Sequence, residues 1–187
     1  MQNYWLLKDD LKDLFESFPA ATYEEQFSQV SIRIPNTELE KVFDYLKDHK
    51  KFPMDMLTDV TVVDYLTSDY AEKPNVTGRE EDLYSDNRFD VVYHFYSMKT
   101  NKRLRLITNC GGEQPELQSS YKWWTAANYM EREIFDMFGI KFKGHPDLRR
   151  ILLYEEFEGF PLRKDYPTMG EQPRITLRNP EQNNGTS

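Results

Sequence analysis

Five of the chain's ten prolines, Pro146, Pro161, Pro167, Pro173 and Pro180, fall in the 42 residues from Gly139 to Pro180. Proline fixes φ near about −65° and removes a backbone donor, so this stretch supports neither a long helix nor a central strand. It nevertheless carries Ile140, Phe142, Leu148, Ile151, Leu152, Leu153, Phe157, Phe160, Leu162 and Tyr166. An extended chain cannot bury that much apolar surface on itself, which points to docking against another protein. The sequence therefore divides into a core, residues 1–138, and an extended proline-rich C-terminal arm, residues 139–187, that docks on a partner. The polar end NPEQNNGTS adds the expectation that the arm is mobile until that partner is met.

Within the core, Trp5, Leu7, Leu11, Leu14, Phe15 and Phe18 repeat at helical spacing over residues 4–18, and Pro19 stops the helix. Phe27, Val30, Ile32 and Ile34 read as a strand ended by Pro35. Asn36 or Thr37 caps a second helix whose buried stripe is Leu39, Val42, Phe43 and Leu46. Residues 56–66, 89–98 and 102–108 are rich in β-branched and aromatic residues and predict three strands. Residues 71–87, with Pro74, Gly78 and many acids, read as a hairpin loop. A third helix spans 121–138, with Trp123, Ala127, Met130, Ile134 and Met137 on one stripe and Gly139 as its left-handed stop. The order predicts an α+β fold, a mixed β-sheet with helices packed on it.

A net charge of −8 argues against nucleic acid as the partner, because phosphate binding needs a basic face. Residues 55–100 hold ten Asp and Glu against four Lys and Arg and are read as a solvent face. The single cysteine, Cys110, excludes an internal disulfide and an iron–sulfur cluster held by this chain alone. No apolar run approaches the roughly 18 residues needed to cross a bilayer, and the first residues lack the build of a signal peptide. The expected location is the cytoplasm or the cytoplasmic side of a membrane. Gly111–Gly112, in the polar loop 109–120, lacks the spacing of a phosphate-binding loop.

Charge is densest over residues 131–167, where seven basic and eight acidic side chains alternate. Arg132 and Asp136 stand four apart at the end of the third helix and are placed to pair. Arg149, Arg150 and Arg163 suit charge-assisted bonds across a protein interface, with Asp147, Glu155 and Asp165 as competing partners within the chain. A sharper alternative gathers Glu131, Glu133, Asp136 and His145 around a metal. Helical metal-ligand spacings such as HExxH are absent, however, and the chain has only 3 His. No GxSxG motif marks a serine nucleophile, and Cys110 has no evident base.

The run ERExFDMFGIxFxGHPDLRRILL, followed by EGFPLRKDYP, closely resembles the C subunit family of NADH-quinone oxidoreductase, the 30 kDa subunit of respiratory complex I. YHFYS and WWTAANYMERE resemble it as well, so the likeness covers roughly residues 88–167. The resemblance implies a non-catalytic subunit of the peripheral arm on the cytoplasmic side of the inner membrane, without direct membrane insertion. Its arm is implied to wrap the quinone-site subunit, the D subunit of the complex, near cluster-bearing subunits. FMN, iron–sulfur clusters and quinone would all sit on other subunits. The family residues carried over are Glu131, Arg132, Glu133, Asp136, His145, Pro146, Asp147, Arg149, Arg150, Pro161, Leu162, Arg163, Lys164 and Asp165, with structural and interfacial roles. The link CGGEQPELQSSYKWW departs from the family pattern, and the tail after Pro167 is too short for the form that fuses the C and D subunits in one chain. The equivalent subunit of a membrane-bound hydrogenase or another quinone-linked dehydrogenase is the alternative, and a free-standing metal-dependent enzyme a remoter one.

Overall fold

The computed structural model describes residues 4–26, 29–66, 88–112, 114–167 and 172. The chain enters in extended form and makes a 3-10 turn at Lys8–Leu11 before helix α1, Lys12–Ser17. The sequence periodicity predicts one helix from residue 4, but Trp5 forms a parallel bridge to Arg103 instead. The turn then starts at Leu7, whose N–H is held by the Asp10 carboxylate at 2.9 Å. Strands β1 (Thr22–Gln26) and β2 (Gln29–Arg33) follow as an antiparallel pair. TYEEQ of β1 is almost wholly exposed, so hydrophobic alternation carried no sign of it. A 3-10 turn at Asn36–Glu38 leads into α2, Leu39–Lys47, whose buried residues are the four of the expected stripe.

Strands β3 (Met56–Asp64), β4 (Phe89–Ser97) and β5 (Lys102–Cys110) complete a sheet of order β1-β2-β5-β4-β3. The β2–β5 pairing is parallel and the others antiparallel, which makes the sheet mixed. The expected loop at 71–87, Phe27, and the polar end from residue 179 lie outside the described residues. A three-residue strand, β6 (Glu116–Gln118), pairs in parallel with β7 (Lys141–Lys143). It falls inside the expected loop at 109–120 and went unseen because two of its three residues stay accessible and three residues carry too little pattern.

Helix α3 spans Ala127–Phe138, six residues shorter at its start than periodicity predicts. The tryptophans of the preceding turns are held from outside the helix. Trp124 donates its indole N–H to the Met54 carbonyl at 2.8 Å, and Trp123 donates to the Asp44 carboxylate at 2.7 Å. Both rings join Phe43, Tyr93 and Phe95 in an aromatic cluster with centroids 4.7–6.4 Å apart. Such edge-to-face and tilted pairs contribute roughly 0.5–1.5 kcal/mol each beyond their burial. Gly139 ends α3 at φ 71°, as its position predicts. Period-two alternation turns Val30, Ile32, Val91, Tyr93, Phe95, Leu104 and Leu106 toward the helices and the common core. The result is the α+β arrangement the element order implied.

Candidate functional site

The charged segment after α3 folds back along that helix, and one carboxylate organises it. Asp136 is fully buried. Its Oδ2 accepts the backbone N–H groups of Ile151, Leu152 and Leu153 at 3.0, 2.8 and 2.9 Å. Its Oδ1 accepts from Arg150 at 2.6 Å. Burial by itself pushes this carboxyl up, but the N–H bonds from Leu153 and Leu152, with Arg150 and Ile151, outweigh it and hold the group below the usual range. Arg150 extends the network, donating to the carbonyls of Asp136, Phe157 and Gly159 at 3.2, 3.0 and 3.1 Å. The rings of Phe157 and Phe160 lie 5.8 and 5.6 Å from its guanidinium.

The helical pairing of Arg132 with Asp136 is not formed. Asp136 is occupied by Arg150, and Arg132 turns to the carbonyls of Arg149 and Arg150 at 3.2 and 3.3 Å. Arg150 is likewise consumed within its own chain. Arg149 stays exposed, paired with Asp147 at 2.9 Å.

Glu131, also fully buried, faces away from this network toward the link before α3. It accepts the Ser119 hydroxyl at 2.6 Å and both the N–H and the hydroxyl of Ser120 at 2.7 Å. Burial pushes its carboxyl up despite these bonds. His145 receives the Asp147 N–H on Nδ1 at 3.1 Å, so Nε2 carries the proton and donates to the Asn128 carbonyl at 3.1 Å. Glu133 and Pro146 are exposed. Of the metal alternative, Glu131, Asp136 and His145 thus serve separate partners, and no group of three or more metal-ligating side chains gathers among the described residues. Burial pushes the Cys110 thiol up to about 12, away from any nucleophilic role at neutral pH.

A second clasp lies further along. The Leu162 N–H donates to the Met137 carbonyl at 3.2 Å, with Pro161 half-buried beside it. Arg163 donates Nε–H to the Phe138 carbonyl at 2.5 Å and sits over the rings of Phe160 and Phe89 at 4.6 and 5.4 Å. Lys164 donates its backbone N–H to Asp64 at 2.9 Å. Arg88 grips Asp64 through Nε at 2.9 Å and a terminal nitrogen at 2.6 Å, and reaches Asp165 at 2.6 Å. The hydrogen bond from Arg88 holds the Asp165 carboxyl below its ordinary value. Asp64, Arg88, Ser119 and Ser120 were not anticipated. Each is a single polar residue at a strand end or in a loop, with a partner at least 11 positions away in sequence.

The fold and its clasps define an α+β domain with a strapped C-terminal segment. A chain of a membrane-bound sulfane sulfur reductase, an archaeal respiratory membrane complex, superposes with TM-score 0.65 over 87% of this chain and 86% of its own, a likeness of fold alone at 18% identity. The chain belongs to the family described as "Respiratory-chain NADH dehydrogenase, 30 Kd subunit", whose sequence profile matches residues 32–172. It is 39% identical over 179 residues to the NADH-quinone oxidoreductase C subunit of Coxiella burnetii, covering 88% of this chain and 78% of that one. It is also 39% identical over 142 residues to the C 2 subunit of the same enzyme from Rhizobium meliloti, covering 76% and 68%. A trypsin-resistant fragment of Nqo5 matches with TM-score 0.57 and 26% identity, covering 74% of this chain and 98% of the fragment. No helix among the described residues is long and apolar enough to cross a membrane.

Proposed function

We propose that the chain is a non-catalytic structural subunit of the peripheral arm of proton-pumping NADH:quinone oxidoreductase. It supports electron transfer from NADH to quinone by holding the quinone-site (D) subunit through residues 139–187. In this reading it binds no cofactor of its own; FMN, iron–sulfur clusters and quinone belong to other subunits. It lies on the cytoplasmic side of the inner membrane, attached through the complex.

The observation that carries this reading is how the family's charged residues are used. Glu131, Asp136 and Arg150 spend their charges on one another, on the backbone or on the Ser119 and Ser120 hydroxyls, which suits a part that shapes a contact surface rather than one that reacts. Shaping leaves Leu152 and Leu162 outward at 62% and 53% exposure, available to a neighbouring subunit.

A tagged chain purified from its own membranes tests the proposal. Co-purification of the quinone-site and cluster-bearing subunits with NADH:quinone activity is expected, together with loss of that activity when the gene is deleted. Recovery of the chain alone, with unchanged activity in the deletion strain, overturns it.

A further inference from the structure

The sheet's second face, turned away from the helices, carries a patch that the arm does not use. At the Met98 end of β4 and β5 the chain's first described residues complete the sheet. The Arg103 N–H donates to the Tyr4 carbonyl at 2.7 Å, and the Leu6 N–H donates to the Arg103 carbonyl at 3.1 Å. This sets the Trp5 ring 5.5 Å from the Arg105 guanidinium. Across the ladder, His94 stands opposite Arg105 and Tyr96 opposite Arg103, whose guanidinium lies 5.7 Å from the Tyr96 ring. Met56 stands opposite Tyr96 on the other side, 48% exposed. Tryptophan, tyrosine, methionine and arginine at one place is the composition of an interface centre, not of an ordinary solvated face.

The two arginines are short of acceptors. Arg105 donates to the Ser31 hydroxyl at 3.4 Å and to the Gln29 side-chain carbonyl, while its buried Nε–H has no partner among the described residues. Among the described residues neither Arg103 nor Arg105 has a carboxylate within ion-pair distance. Of the carboxylates that share this face, Asp90 takes both terminal nitrogens of Arg33, and Glu24 also turns to Arg33. Asp59 stands opposite His94. The local field is positive: burial and then Arg105 hold His94 below its ordinary pKa, with Arg103 acting the same way and Asp59 opposing. A chain of net charge −8 thus keeps two guanidiniums beside aromatic surface with no counter-charge among the described residues.

We propose that this corner of the sheet receives an acidic, extended segment of another protein chain, its carboxylates on Arg103 and Arg105 and its apolar side chains on Trp5, Tyr96 and Met56. Two arginines on an acidic protein are too few to neutralise a polyphosphate, and the patch lacks the cluster of basic residues that anionic lipid calls for. The site stands seven residues along β4 from Phe89, about 24 Å at strand rise, so it is separate from the Arg88 clasp. The inference goes beyond the arm-docking reading and does not depend on it.

A photo-crosslinking replacement, Met56→p-benzoylphenylalanine, in the tagged chain within its native membranes tests the proposal. The expected product joins position 56 to another protein, in a segment bearing at least two Asp or Glu. Arg103→Glu should cut its yield by about tenfold, the scale of losing a charge-assisted interface bond. Arg103→Gln, which removes the charge without reversing it, should lower it less. Several outcomes overturn the proposal: no cross-linked protein, a link to lipid, to nucleic acid or to a second copy, a linked segment without acids, or a yield that Arg103→Glu and Arg103→Gln leave unchanged. Melting of each variant chain beside the parent confirms that it is folded, and Arg103, exposed beside the Tyr96 ring, is replaceable without loss of core.

Discussion

Lys164 donates its backbone N–H to the Asp64 carboxylate across 100 positions of sequence, at 2.9 Å. The bond ties the end of β3 to the segment beyond α3, and Arg88 reinforces it by bridging Asp64 and Asp165. Because Asp64 serves both Arg88 and the strap, it is a residue through which sheet and arm hold each other.

The two carboxylates of this clasp should differ sharply in weight. The Asp64 side chain is 1% exposed, so Asp64→Ala leaves Arg88 without its buried partner and should cost about 3–5 kcal/mol. The Asp165 side chain is 51% exposed, and Asp165→Ala should cost no more than about 1 kcal/mol. Urea unfolding of both variants checks the ranking, and equal losses would contradict it.

Acid should loosen the strap before it reaches the core. The folded-state pKa values of Asp64 and Asp136 lie below their unfolded values: burial opposes the shift, and bonds from Arg88 and from the N–H groups of 151–153 prevail. A depressed carboxyl contributes stability above its unfolded pKa of about 3.9, and that contribution is lost as pH falls through the folded value. Glu131 has the opposite sign. Burial raises its folded pKa, so its contribution is present below about 4.3 and is lost as pH rises through the folded value. Glu131→Gln should therefore flatten the pH dependence of stability on the neutral side, whereas Asp136→Asn should destabilise the chain at pH 7. Denaturation midpoints of both variants across pH 3–8 separate them.

Much of the fold was legible in periodicity. The stripe of α2, the three long strands and the Gly139 stop all sit where the apolar pattern placed them. Strand β1 was hidden because an exposed edge strand needs no apolar alternation. The site was legible only as composition. Sequence spacing offered Asp136 to Arg132, four residues away, but folding brought Arg150 and three consecutive N–H groups, and four donors in fixed geometry outcompete one flexible helical pair. Partners such as Asp64 and Arg88 follow from chain reversal, which no local pattern encodes.

Gly139→Ala should be costly for two reasons at once. The residue has φ 71°, a conformation that costs a non-glycine residue roughly 1–2 kcal/mol. A Cβ there would also lie 2.5 Å from the Phe160 ring and 2.8 Å from an Arg163 terminal nitrogen. The added methyl should displace Phe160 and loosen 160–163, which shows as faster trypsin cleavage at Arg163 and Lys164. Cleavage at the parent rate would mean that the ring relaxes without cost.

Arg149 and Arg150 are neighbours with opposite duties, and alanine replacements should tell them apart. Arg150 donates to four oxygen acceptors and lies against two phenylalanine rings, with its side chain 18% exposed. Removing it leaves the Asp136 charge buried with only N–H partners and three carbonyls short of a donor. The expected loss is about 3–5 kcal/mol of stability, seen as a lowered urea midpoint and as trypsin sensitivity of the segment after α3. Arg150→Lys should rescue little, since an ammonium cannot span acceptors that a planar fork joins. The Arg149 side chain is 71% exposed and, among the described residues, is paired only with Asp147, so Arg149→Ala should leave the isolated chain within about 0.5 kcal/mol of the parent. If Arg149 faces a neighbouring subunit, its replacement should instead lower the yield of the assembled enzyme. An Arg150→Ala chain that unfolds like the parent and loses only assembly would reverse these assignments and place Arg150 at the interface.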